Sequence, residues 1–295
     1  MRARDFVLTV LICLCWALNN VTSKIVVAEW HIPPLFFAAL RFTVVLLATL
    51  PWLMPVPRPT GRIVMIGLLM GGANFGLLFI GLQTTSPSVA SIVVQSSVPF
   101  TTLLGVVMLG ERIHWQRGIG SLLALAGILL VLWQPGRLAL SWGVLSILAG
   151  ALGSAFGAVL MKKVENVEPL RFQAWVALSS LPPLALATSV FERGQWSGAI
   201  AVGWPFVAAL LFVALVVSVF AHTAFFGLIR RYEANLLAPL TLMNPLFTFG
   251  LGAALTGDRF TAPMIVGSAV ALLGVLLVVR RPRQTTRMII AREQA

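Results

Sequence analysis

Two stretches of this chain say nearly the same thing, and that repetition narrows its possible folds more than any other feature. Gly110-Glu111-Arg112 is followed by Gly120-Ser121, Ala124-Leu125, Gly127 and Leu129-Leu130-Val131. Gly257-Asp258-Arg259 is followed by Gly267-Ser268, Ala271-Leu272, Gly274 and Leu276-Leu277-Val278. The offset is a constant 147 residues from Gly105/Gly252 onward, and 146 upstream, where Gly81-Leu82, Pro99 and Thr102 match Gly227-Leu228, Pro245 and Thr248. The chain reads as two copies of one unit, residues 1–135 and 136–283, followed by a basic tail, 284–295.

Both copies are apolar enough to sit in a membrane. Hydrophobic residues make up 59% of the 295 and charged ones 10%, against about 45–50% and about 25% in a soluble domain. The apolar residues come in blocks of about 20, the length of a helix that crosses a hydrocarbon core of about 30 Å. The alternating segments of about 10 residues that mark barrel strands are missing. The net charge of +12 lies in the short connections, where membrane orientation and anionic lipid account for it, so nucleic acid is not an expected partner. Cys13 and Cys15 stand two apart in the first block, on different helix faces, and read as small core residues. No cofactor or metal is expected. The first block starts like a signal peptide but lacks a small-residue cleavage site before Asn19-Asn20, so it reads as an uncleaved helix.

Ten spans are expected, at 6–27, 34–53, 62–83, 87–109, 115–133, 141–162, 169–189, 204–229, 233–255 and 261–280, separated by proline and glycine punctuation. One set of ends and loops holds 16 Lys and Arg; the other holds four, Lys24, Arg137, Arg193 and Arg259. That bias places both termini in the cytoplasm. Trp30, Trp52, Trp115, Trp133, Trp142, Trp196 and Trp204 fall at span ends, as an interfacial belt would. Five spans per unit is an odd number, so the second copy enters the membrane the other way up. The predicted fold class is thus an all-α integral membrane protein, a five-plus-five inverted repeat around a central cavity, the architecture of a transporter.

With a proline inside the fourth and ninth spans and Gly-Glu-Arg or Gly-Asp-Arg after each, the chain resembles the drug/metabolite transporter superfamily, EamA-type, along residues 6–280. It is most similar to exporters of hydrophobic or aromatic amino acids. The resemblance implies a basket in which spans 1, 3, 4, 6, 8 and 9 surround the cavity while spans 5 and 10 brace it. It also implies a small-molecule substrate, an inner-membrane location and alternating access. Multidrug cation or nucleoside-type metabolite export is the alternative within the superfamily.

The nine carboxylates all lie outside the spans or at their edges, which argues against a carboxylate proton motor and against pairing with cationic drugs. Gradient-driven, facilitated movement is the expectation. Neutral amides and hydroxyls are the candidate substrate contacts: Asn20, Asn74, Gln95 with Ser96, and Asn244, whose donors and acceptors suit a zwitterion. The same groups are also common interhelical glue. Trp16, Phe75, Phe79, Phe156 and Trp175 are interior aromatics that would shape an apolar pocket or pack between helices, and Tyr232 reads as an interfacial anchor. His222 reads equally as a cavity group and as a wall hydrogen bond. Arg41 reads as a partner for a substrate carboxylate or, the favoured reading from position alone, as a structural arginine that snorkels or caps carbonyls. Pro99 with Gly105, and Pro245 with Gly252, are repeat-related hinge candidates. Gly67/Gly71, Gly72/Gly76 and Gly153/Gly157 permit close helix packing within the chain, so a monomer is expected, with a dimer as the other use of such spacing. The two Gly-acid-Arg segments are expected to cap helices or pin loops.

Other classes lack their chemistry. There is no Gly-x-Ser-x-Gly, His-Glu-x-x-His or P-loop for an enzyme, and no filter-like loop or charged ring for a channel.

Overall fold

A computed structural model describes residues 2–110, 115–134, 137–138, 140–161, 164, 167–232, 237 and 240–279. Ten long helices are seen among them: α1 (Ala3–Glu29), α2 (Pro34–Leu53), α3 (Thr60–Leu82), α4 (Pro87–Leu109), α5 (Trp115–Val131), α6 (Trp142–Met161), α7 (Pro169–Phe191), α8 (Trp204–Leu228), α9 (Met243–Leu255) and α10 (Ala262–Val279). Eight are long and apolar enough to cross a bilayer; α5 and α9 are shorter. The protein is a multi-pass, all-helical membrane protein. The only strands among the described residues are β1 (Trp133–Gln134) and β2 (Arg137–Leu138), a small antiparallel ribbon. A short helix, Gln195–Val202, precedes α8 and has no counterpart in the expected spans. Glu111, Arg112 and His114, and the tail 284–295, lie outside the described residues.

The bundle is apolar on its outside. Val107 is 74% exposed, Leu122 68% and Leu186 66%, whereas Asn19, Arg41, Ser180 and Thr248 are buried. Lipid demands this inversion, since polar groups on its side would find no partner.

The helix ends are set by local chemistry and by other helices. Pro34, Pro87 and Pro169 stand in the first helical turn, where their missing N–H costs nothing. The Glu192 carboxylate, at the end of α7, accepts from the Leu35 and Phe36 amides at 2.8 Å each and so caps α2. Asp258 accepts from the Ser88 amide at 3.1 Å and caps α4. The glycines of the duplicated segments, Gly110 and Gly257, take φ of +64° and +65°, the left-handed conformation that ends a helix. Gly252 is held by close approach: a Cβ there would lie 2.6 Å from Asp258 Oδ2 and 2.7 Å from Ser88 Oγ.

α5 and α10 meet through glycine. A Cβ on Gly120 would lie 2.7 Å from Gly274 O, and one on Gly267 2.7 Å from Gly127 O. The reciprocal values, Gly274 to Gly120 O and Gly127 to Gly267 O, are both 2.6 Å. Since Gly120 corresponds to Gly267 and Gly127 to Gly274, the two helices touch about a local two-fold axis near Ala124 and Ala271, running antiparallel. The other packings pair off in the same way. α1 packs on α8 and α9 as α6 packs on α3 and α4, and α2 packs on α8 as α7 packs on α3.

Two further features recur. The π-helical segment Leu68–Ala73 of α3, shifted by 146, falls inside the longer one of α8, Phe212–His222. α4 tightens to a 3-10 turn at Val94–Ser96, and the chain turns at Leu242, the counterpart of Ser96, before α9 begins at Met243. Pro99 and Pro245, both buried, follow these breaks by a few residues and give no N–H to the carbonyl four residues earlier.

Candidate functional site

α1, α2, α3 and α8 bring one polar and aromatic cluster together inside the bundle. Its centre is Arg41, 0% exposed. Its Nε donates to Ser218 Oγ at 2.8 Å and its Nη1 to Asn19 Oδ1 at 3.3 Å. Nη2 is buried and has no hydrogen-bond partner among the described residues. The guanidinium carbon stands 3.8 Å from the centre of the Phe75 ring and 5.8 Å from that of Phe79. The position-based reading of Arg41 as a snorkelling or carbonyl-capping residue is therefore corrected. The side chain is shut inside, and its two bonds go to side-chain oxygens. Nothing in the spacing of α2 says which of its faces is turned inward, and that face decided the outcome.

π-helical winding in α8 sets the opposite wall. One widened turn carries Ser218 and His222, with Ser218 Oγ donating back to Val213 O at 3.0 Å and His222 Nδ1 2.7 Å from Val217 O. A carbonyl only accepts, so Nδ1 is the nitrogen that carries a proton in this contact, and Nε2 is the other ring nitrogen. The His222 ring lies 5.5 Å from Trp16 and 5.9 Å from Phe75, and Trp16 meets Phe225 edge-on at 4.9 Å. Trp16 Nε1 is a second buried donor without a partner.

A second polar group joins α1 to α9. Asn20 Nδ2 donates to Thr248 Oγ1 at 3.5 Å, and Thr248 Oγ1 lies 2.9 Å from Asn244 O and 3.4 Å from Asn244 Oδ1. Neighbouring asparagines thus serve different partners, Asn19 reaching Arg41 and Asn20 reaching Thr248. Asn74 is half-buried where α3 leaves its π-helical segment, and Gln95 (half-buried) and Ser96 (buried) occupy the tight turn of α4.

The remaining residues singled out from sequence stand apart. Trp175 donates through Nε1 to Leu53 O at 3.1 Å, at the end of α2 away from Pro34. Phe156 is half-buried on α6 and belongs to no ring pair seen among the described residues. Tyr232 donates to Asp5 Oδ2 at 2.6 Å, tying the end of α8 to the chain's start. Asn19, Ser218 and Thr248 were missed. The signals available were Ser218 standing one turn before His222, and Thr248 matching Thr102 in the repeat.

Two surface clefts differ from this cluster in chemistry. One, of about 250 Å³, is apolar and runs between α3 and α7 past Leu69, Gly72, Gly76 and Leu184. The other, of about 390 Å³, lies beside His31, Gln83, Glu192 and Arg193, where Glu192 is already engaged as the cap of α2. Among the described residues no group of three or more His, Cys, Asp or Glu is arranged to hold a metal.

Comparison with known proteins bears on what such a cluster does. The model of the EamA-like transporter family matches residues 5–133 and 141–280. A protein of Salmonella typhimurium named "Probable amino-acid metabolite efflux pump" is 29% identical, over 98% of this chain and 99% of its own length. Its namesake in Escherichia coli is 27% identical, over 94% and 95%. The "Uncharacterized inner membrane transporter YedA" of Escherichia coli is 26% identical, over 90% and 87%. One solved crystal structure superposes with a TM-score of 0.63 at 19% identity, covering 100% of this chain and 99% of that one, a likeness of fold alone.

Proposed function

The chain belongs to the EamA-like transporter family, and on that premise we propose that it carries small metabolites, chiefly hydrophobic or aromatic amino acids, out of the cell. The observation that carries this reading is the cluster around Arg41. Trp16, Asn19, Arg41 and Phe75 come from the first copy of the repeat, and Ser218 and His222 from the second. In inverted-repeat carriers the substrate sits at such an interface, and rocking one unit against the other exposes it to each side in turn.

The membrane arrangement proposed is ten spans in two inverted units, 1–135 and 136–283, with both termini in the cytoplasm of a cell bounded by its inner membrane. The α5/α10 two-fold contact and the pairing of packings between the halves support it. The breaks before Pro99 and Pro245 would let α4 and α9 bend, closing one mouth as the other opens. Asn20, Thr248 and Asn244 would follow α9 as it moves. Among the described residues no carboxylate stands beside the cluster, which supports passive, gradient-driven flux.

Reconstitution into proteoliposomes tests this. Labelled amino acids, nucleosides and organic cations are offered, each with and without a pH gradient. Saturable counterflow of amino acids without a gradient is expected. Transport of cations alone, or uphill movement driven only by protons, would overturn the proposal.

A further inference from the structure

We infer that Arg41 anchors the carboxylate of the transported molecule, and that the carrier recognises this group rather than the amine, so that its substrates include apolar monocarboxylates lacking any amine. The inference rests on the proposed carrier function and specifies the chemistry of the same site. A guanidinium is always charged and presents five N–H donors in a planar fork. Here that charge is 0% exposed, and its two hydrogen bonds go to neutral oxygens, Ser218 Oγ and Asn19 Oδ1. The described carboxylates are committed elsewhere: Asp5 to Tyr232, Glu168 to Arg171, Glu192 to α2 and Asp258 to α4, while Glu29 closes α1. An uncompensated buried ion is expensive, and in a membrane it is kept for function by default.

What the cluster lacks is an acceptor. Phe75 covers one face of the guanidinium, leaving its edge to bind, and on that edge Nη2 is unpartnered. Trp16 Nε1 adds a second orphan donor on the same chain of rings. A buried, charged donor with no acceptor suits a carboxylate oxygen. Trp16, Phe75, Phe79 and Phe225 supply apolar walls for the rest of the molecule. An ammonium finds no anionic partner among the described residues here.

Purified protein and proteoliposomes test this with four probes: L-phenylalanine, 3-phenylpropanoate (no amine), and L-phenylalanine methyl ester and 2-phenylethylamine (no free carboxylate). Ligand-induced shifts in melting temperature report binding, and competition against labelled phenylalanine counterflow reports transport. 3-Phenylpropanoate is expected to bind within about threefold of phenylalanine, and the ester and amine at least about tenfold more weakly. Arg41→Lys keeps the charge but loses the fork, and Ser218→Ala keeps the guanidinium but removes the bond that orients it. Each should lower the carboxylate-to-amine preference, by about tenfold and about threefold respectively. A merely structural arginine would change melting in the absence of ligand and leave that preference intact, which overturns the inference, as does equal binding of 3-phenylpropanoate and 2-phenylethylamine. Binding of the carboxylates with no phenylalanine counterflow would instead strike at the carrier function and leave the recognition rule standing.

Discussion

Where α7 crosses α3, Gly67, Gly71 and Gly72 lie against Ser179, Val176 and Ser180; where α2 crosses α8, Arg41 lies against Ser218. The repeat makes these crossings counterparts, and each has π-helical winding in its third helix. Their chemistry is opposite. At the first, Ser180 Oγ lies 3.1 Å from Gly67 O and 2.7 Å from Val176 O, and Ser179 Oγ donates to Trp175 O at 2.6 Å, so both hydroxyls are satisfied and the rest is close contact. At the second, a charge is buried with a donor left over. The backbone device recurs at both crossings while the side chains differ, the first closely packed and the second, on the proposed reading, set for recognition.

Making the second crossing resemble the first is the sharpest way to break the comparison. Arg41→Val together with Ser218→Gly should abolish amino-acid counterflow. It should also leave the protein folded, because the buried charge removed had no counter-ion among the described residues, read as a melting temperature in detergent no lower than that of the parent. Retained transport would mean that the two crossings do the same job. Gly71→Val tests the other side. The new side chain would meet Ser180 Oγ, and its Cβ would lie 2.6 Å from Val176 Cγ1. A loss of about 1–3 kcal/mol is expected from overpacking, seen as lower melting and a broader size-exclusion peak. An unchanged profile would show that the crossing can part as freely as its counterpart.

Pro99→Ala and Pro245→Ala ask whether the two halves also bend alike. Each restores a helix hydrogen bond, and flux should slow about severalfold with substrate binding unchanged. A larger effect at one site would make the breaks at Val94–Ser96 and Leu242 unequal gates. The smallest effect is expected from Asp258→Ala, which removes the bond to the Ser88 amide. The cost should be about 1 kcal/mol, a fall of a few degrees in melting temperature.

The fold was legible because lipid leaves few choices. Apolar blocks of the right length gave helix limits within a few residues except at the ninth, expected from 233 and found from Met243, and the left-handed glycines Gly110 and Gly257 could be found as one duplicated sign. The members of the candidate cluster were legible by residue type but not by facing. Trp16, Phe75, Phe79 and His222 meet around Arg41, while Phe156 and Trp175, chosen by the same criterion, stand elsewhere. Asn19 and Asn20 show why. Adjacent residues on a helix point about 100° apart, and no periodicity in an almost uniformly apolar segment says which one turns toward α2. π-helical winding compounds this, because it shifts every later residue of α8 around the axis, and it leaves no mark in composition.

The glycine contact between α5 and α10 has a consequence of its own. Gly120, Ala124 and Gly127 recur as Gly267, Ala271 and Gly274, and the contacts they make are matched on either side of the axis. One surface is therefore meeting itself. Any change that improves the fit from one side improves it from the other, so this seam is what a half-length chain would need to join a copy of itself inserted upside down.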